Sequence, residues 1–117
     1  MFTGVETLLT MSKSLMNLDH QSFRSEVLEG DLPAVVEFGG AWCPPCRALE
    51  PILERLAMKH VGQWKVGTVD MDEHPALAAR YKVRAVPTII VLRRGEEVAR
   101  HVGLTSYEKL AALLARA

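Results

Sequence analysis

Only two cysteines occur in the 117 residues, Cys43 and Cys46. Two sulfurs cannot knit a multi-disulfide scaffold, and alone they cannot complete a four-ligand structural zinc site. A chain of this length builds a core without staples, so the cysteines are not there to hold the fold together. Net charge is also missing, since 14 Lys and Arg balance 14 Asp and Glu. Without a basic excess there is no broad cationic surface to track a nucleic-acid backbone. No apolar run approaches the ~20 residues that a membrane-spanning helix needs. Met1 to Met11 holds no Lys or Arg and includes Glu6, so the basic start of an export signal is absent. The expected location is the cytoplasm, with residues 1–13 a tail and 14–117 one folded domain. No internal repeat or low-complexity stretch interrupts it. What is present, 49% hydrophobic and 24% charged residues, is the make-up of an ordinary globular domain.

Leu15, Met16 and Leu18 predict a short first strand. Asp19 follows as a helix N-cap, with Leu18 and Phe23 at the spacing of a hydrophobic staple, and Gly30 closes that helix. Ala34-Val35-Val36-Glu37-Phe38, bounded by Pro33 and Gly39-Gly40, reads as a buried strand. Leu49, Ile52, Leu53 and Leu56 predict a helix that Pro51 kinks near Arg47 and Gly62 ends. A third strand runs from Trp64 to Asp70, a short helix from Pro75 to Tyr81, and a loop from Val83 to Pro87. Thr88 to Leu92 is a central strand, turned by Arg93-Arg94-Gly95-Glu96 into a last strand, Val98 to Val102. Thr105-Ser106-Tyr107-Glu108 has the form of a capping box, Thr105 capping and Glu108 reaching back, ahead of a final helix. The order is β-α-β-α-β-α-β-β-α. Early βαβ alternation implies parallel strands with helices on both faces, and the late hairpin implies an antiparallel edge. The expected fold class is α/β, a three-layer α/β/α sandwich around a mixed sheet.

Cys43 and Cys46 stand at a strand-to-helix junction. The first amides of a helix have no intrahelical partner, and the helix dipole adds partial positive charge there. A thiolate at that point is favoured, which makes Cys43 the expected nucleophile. Two residues further on, Cys46 can attack a mixed disulfide formed on Cys43, and it is expected to be the less exposed of the two. A metal site fits poorly: His20, His60, His74 and His101 are scattered over different elements, and no second C-x-x-C exists. Haem attachment needs His after the second cysteine, where Arg47 stands. An inert pair of small buried residues is the bland alternative to redox chemistry.

Trp42-Cys43-Pro44-Pro45-Cys46, the helix proline Pro51 and the distant Val86-Pro87-Thr88 together resemble the thioredoxin family. Asp70-Met71-Asp72, Gly95 and Gly103 extend the resemblance to about 100 residues. It implies the thioredoxin fold and reversible dithiol–disulfide exchange with protein substrates. Pro87 matches a cis-proline packed against the active-site disulfide, and Val86 the backbone that docks an extended substrate segment. Trp42 and Gly103 match positions flanking the sulfurs, and with Pro44 and Pro45 they complete the expected substrate-binding set. The resemblance also implies no bound cofactor beyond the redox-active cysteine pair. Its partners are disulfide-containing proteins and a flavin- and NADPH-dependent reductase, and the chain is expected to act as a monomer in electron transport and cell redox homeostasis.

Four positions depart from the family pattern. Pro44 replaces the usual Gly between the cysteines and removes a backbone amide near Cys43. Glu37 stands where the family has a buried Asp acting as proton acceptor. Burial should raise its pKa, and the extra methylene brings the carboxylate closer to Cys46 or bends it aside. Thr68 stands where a partner Lys is common. Gly39 replaces a large aromatic, which leaves either a cavity or a repacked neighbour. The expected function is a thiol–disulfide oxidoreductase reducing protein disulfides, with Cys43 as nucleophile, Cys46 as resolving thiol and Glu37 as proton acceptor. A dithiol oxidase or isomerase, or a partner-binding module with incidental turnover, are the alternatives.

Overall fold

The computed structural model describes residues 14–117, and the expected tail, 1–13, lies outside the described residues. The chain runs β1 (Leu15–Asn17), α1, β2 (Ala34–Gly39), α2 (Pro44–Lys59), β3 (Lys65–Asp70), α3 (Pro75–Arg80), β4 (Thr88–Arg93), β5 (Glu96–Val102) and α4 (Tyr107–Arg116). Helix α1 is one α-helical turn, His20–Ser22, that widens into π-helical turns over Phe23–Leu28. The strands form one mixed sheet in the order β1-β3-β2-β4-β5. β2 lies at its centre, parallel to β3 and antiparallel to β4, and is buried along its whole length. Its side chains alternate between two cores, as a strand's period of two requires. Ala34, Val36 and Phe38 pack with Phe23, Val27, Leu77 and Tyr81 from α1 and α3. Val35 packs on the other face with Leu49, Leu53, Leu110 and Leu114 from α2 and α4. This is the three-layer α/β/α sandwich expected from the order of elements.

The local signals fare unevenly. Asp19 caps α1 reciprocally: its carboxylate accepts the Ser22 N–H at 2.8 Å, and Ser22 Oγ accepts the Asp19 N–H at 2.9 Å. Leu18 and Phe23, the expected staple, are both buried in one core. Helix α2 runs through Pro51 without a break and ends at Lys59, before Gly62. Gly62, at φ +82°, serves the turn into β3 instead. The capping box at Thr105 is not formed. Ser106 is the N-cap of α4, its backbone extended and its hydroxyl accepting the Lys109 N–H at 3.2 Å, while Thr105 Oγ1 is buried without a partner among the described residues. Arg94 and Gly95, at φ 52° and 80°, make the tight turn between β4 and β5.

Pairing across the sheet decides where the site lies. Phe38 on β2 faces Thr88 on β4, and Thr88 faces Val102 on β5. Because these neighbours run antiparallel, the residues after Phe38, before Thr88 and after Val102 all emerge at one end of the sheet. Gly39 to Cys46, Val86-Pro87 and Gly103 therefore converge there, although some sixty residues separate the first from the last.

Candidate active site

Cys43 and Cys46 are joined as a disulfide at the start of α2, with their Cα atoms 5.2 Å apart. Cys43 is the N-cap, in extended conformation, and its sulfur accepts the Cys46 N–H at 3.3 Å. This is the helix-terminus position that favours a thiolate. Pro44 and Pro45, both exposed, fill the first two helical positions and carry no N–H. The Cys46 amide is thus the only N–H among residues 44–46 able to serve the Cys43 sulfur. The expected order of exposure is reversed: Cys43 is 2% exposed and Cys46 is 7%. As N-cap, the Cys43 sulfur folds back over the helix end, whereas Cys46 borders a cavity of about 510 Å³.

That cavity lies between the start of α2 and the β1, β3 and β2 strands, and Glu37 and Gly39 also line it. Glu37 is 5% exposed, and its Oε2 has no hydrogen-bond partner among the described residues. Burial, reinforced by the negative charges of Glu50 and Asp70, raises its pKa to about 7. The space above Gly39 is not empty, because the Glu37 carboxyl fills it. A Cβ on residue 39 would collide with Glu37 Oε2 and lie 2.8 Å from Cys46 Sγ. The oxygen and the sulfur are therefore no more than about 5 Å apart, within reach of a direct or single-water proton transfer. The long acid does approach Cys46, and the missing aromatic is answered by a repacked neighbour with the cavity beyond it.

Thr68 stands directly across from Glu37 in the sheet and lines the same cavity. Its hydroxyl donates to Asn17 Oδ1 at 3.0 Å, so it brings no charge to the carboxylate. Thr68→Lys places a cation there and is expected to pull the Glu37 titration midpoint down by at least about one pH unit. The carboxyl carbon shift followed against pH reads this, and an unmoved midpoint means that the two groups do not interact.

The rest of the expected substrate-binding set lies at the same end of the sheet as the disulfide. The Val86–Pro87 peptide is cis, and no backbone hydrogen bond among the described residues uses Val86. Pro87 C=O accepts the Gly103 N–H at 2.8 Å, which ties the two loops together. Gly103 is at φ +98°, a conformation that favours glycine. Trp42 is 62% exposed and donates its indole N–H to Asp72, which anchors it across the loop after β3. The sequence reading missed three residues here. Val102 and Leu104 are exposed apolar side chains on either side of Gly103, and their adjacency to that glycine was the available signal. Asp72 stood out only as part of the family pattern, and its tie to Trp42, thirty residues away, had no signal of its own. Among the described residues no cluster of His, Cys, Asp or Glu has the form of a metal site, and no helix is long and apolar enough to cross a membrane.

Comparison with known proteins agrees with this geometry. The family model described as Thioredoxin matches residues 14–116. Thioredoxin C-2 of Corynebacterium nephridii is 35% identical over 104 residues, which cover 89% of this chain and 96% of the relative. Thioredoxin of Rickettsia felis is 37% identical over 94 residues, 80% of this chain and 90% of the relative. Thioredoxin M4, chloroplastic, of Arabidopsis thaliana is 39% identical over 94 residues, 80% of this chain but 49% of the relative.

Proposed function

The chain belongs to the thioredoxin family and is a thiol–disulfide oxidoreductase, and from that premise we propose that it works as a reductant of protein disulfides. The observation that carries the proposal is the Cys43–Cys46 pair at a helix start with the Glu37 carboxyl group behind it. In the reduced protein, the Cys43 thiolate attacks one sulfur of a substrate disulfide. That S–S bond breaks, a mixed disulfide forms on Cys43, and the released substrate thiolate takes up a proton. Cys46 then gives its proton to the Glu37 carboxylate and attacks the Cys43 sulfur. The Cys43–Cys46 disulfide forms, the second substrate thiolate leaves, and two electrons have passed to the substrate. A carboxyl group with a pKa of about 7 is poised to take that proton near neutral pH and to release it afterwards.

The substrate enters beside Trp42, Pro44 and Pro45, its extended backbone pairing with the free peptide groups of Val86 next to Pro87 and Gly103. Exposed Trp42, Val102 and Leu104 offer apolar contact to it. Another protein, a flavin- and NADPH-dependent reductase, returns the electrons, and the chain acts as a monomer, each copy carrying its own cysteine pair and acid. A reducing role in electron transport and redox homeostasis fits the cytoplasm, where thiols are kept reduced.

The equilibrium reduction potential of the pair against glutathione tests the direction. The expected value is near −270 mV, below the roughly −220 mV of a glutathione buffer. A value near −120 mV, that of a dedicated oxidant, turns the reading to disulfide formation.

A further inference from the structure

We propose that Gly39 is a positioning residue for the proton transfer, because the space left by its missing side chain is the seat that holds the Glu37 carboxyl against Cys46. The inference rests on the reading of Glu37 as proton acceptor given above. Gly39 ends β2, two residues after Glu37, so both face the same side of the sheet. It is buried, and its φ is not among the positive ones, so the backbone does not demand glycine here. Space does. A Cβ would collide with Glu37 Oε2, lie 3.1 Å from Glu37 Cδ and 2.8 Å from Cys46 Sγ. The sulfur is buried one bond from the Cβ of a residue in the first turn of α2, so it has less freedom to yield than the longer Glu37 arm. The carboxyl arm is the part free to move, and the cavity lined by Glu37, Gly39 and Cys46 gives it room to leave its seat.

This couples two departures that look independent in the sequence. A glutamate at 37 reaches Cys46 only while residue 39 has no side chain, and a shorter acid at 37 leaves room for one. The charged groups around the cavity are Arg47 and Glu50 from α2, Asp70, Glu73 and His74 from the end of β3 and the turn after it, and Asp19 at the start of α1. Arg47 is engaged with the Ala41 carbonyl at 2.9 Å. None of these is altered by a change at residue 39, so an effect of that change on proton transfer passes through Glu37 or through Cys46 itself, and the Glu37→Gln background separates the two.

The test is single-turnover reduction of a disulfide-bonded peptide by the reduced protein, from pH 5.5 to 9, in five forms. These are the wild type, Glu37→Gln, Gly39→Ala, the Glu37→Gln/Gly39→Ala double variant and the Glu37→Asp/Gly39→Ala double variant. Gly39→Ala is expected to slow the reaction about tenfold at pH 7 and to remove the pH step that belongs to Glu37. On the Glu37→Gln background the same alanine should cost less than about twofold, since there is no acid left to displace. Shortening the acid alongside Gly39→Ala should restore the step and most of the rate. Equal losses from Gly39→Ala on both backgrounds overturn the proposal, as does a silent Gly39→Ala beside a slow Glu37→Gln. A Glu37→Gln variant as fast as wild type instead overturns the role of Glu37 itself, so the two failures are separate. If Gly39→Ala does not fold while the Glu37→Asp/Gly39→Ala protein does, the collision with Glu37 is confirmed. If neither folds, the glycine serves packing alone and the proposal fails.

Discussion

Replacing Cys43 by serine abolishes disulfide reduction, and replacing Cys46 by serine yields a protein that attacks once and stays attached to its substrate. The first result follows from the nucleophile. Thiolate chemistry depends on a group with an accessible anion, and a serine hydroxyl at the same N-cap remains protonated at neutral pH even with the Cys46 amide donating to it. The second follows from the order of attack, because a mixed disulfide on Cys43 has no resolving sulfur one helical turn away. A non-reducing gel, or the intact mass of the adduct, reads the trap directly. Neither change should unfold the domain. The disulfide closes a loop of only four residues, and the loop-entropy relation assigns about 2 kcal/mol to a loop so short. Two cores on opposite faces of the sheet remain intact. A Cys43→Ser protein that still turns over disulfides, or a Cys46→Ser protein that releases its substrate as fast as wild type, ends the assignment of roles.

The motif was legible because its physical context is local. A β-branched run, two glycines and an apolar helical repeat place Cys43-Pro44-Pro45-Cys46 between a buried strand and a helix, and that is where the two cysteines lie. The sheet was legible for the same reason, since the apolar run of β4 and that of β2, broken only by Glu37, are what two-sided burial requires. Choices between near-equal neighbours were not legible. Thr105 and Ser106 are adjacent hydroxyls, and which of them caps α4 depends on where the backbone turns extended. Phe23, Val27 and Leu28 show one face whether the turns are α or π, so the spacing does not reveal the wider helix. The relative exposure of the cysteines also escaped the sequence. It depends on how Cys43 folds over the helix end and on the cavity that Cys46 borders. Glu37 and Gly39 each stood out as a departure, but only the strand pleat and the position of the disulfide show that one fills the space the other leaves.

The same buried acid makes the stability of the oxidised protein fall as pH rises. A carboxyl whose pKa is raised from 4.5 in the unfolded chain to about 7 in the fold binds more protons folded than unfolded between those values. Stability therefore declines across that window and levels off above it, by a total of about 3 kcal/mol. Glu37→Gln removes the titration, so its urea-unfolding free energy should change far less between pH 5 and pH 8 than that of the wild type. The comparison is between slopes, since the amide is also buried without a partner and carries its own cost. Asp19 and Glu97 act in the opposite sense. Hydrogen bonds from Ser22 to Asp19 and from Arg100 to Glu97 lower their pKa values, so whatever stability they contribute is lost as pH falls below their unfolded values. That window lies at the acid end, outside the pH 5 to 8 interval, and leaves the Glu37 signal separate. Equal slopes for wild type and Glu37→Gln would mean that the carboxyl titrates alike in the folded and unfolded chains. The acid behind Cys46 would then be ionised throughout the working range rather than poised to exchange its proton.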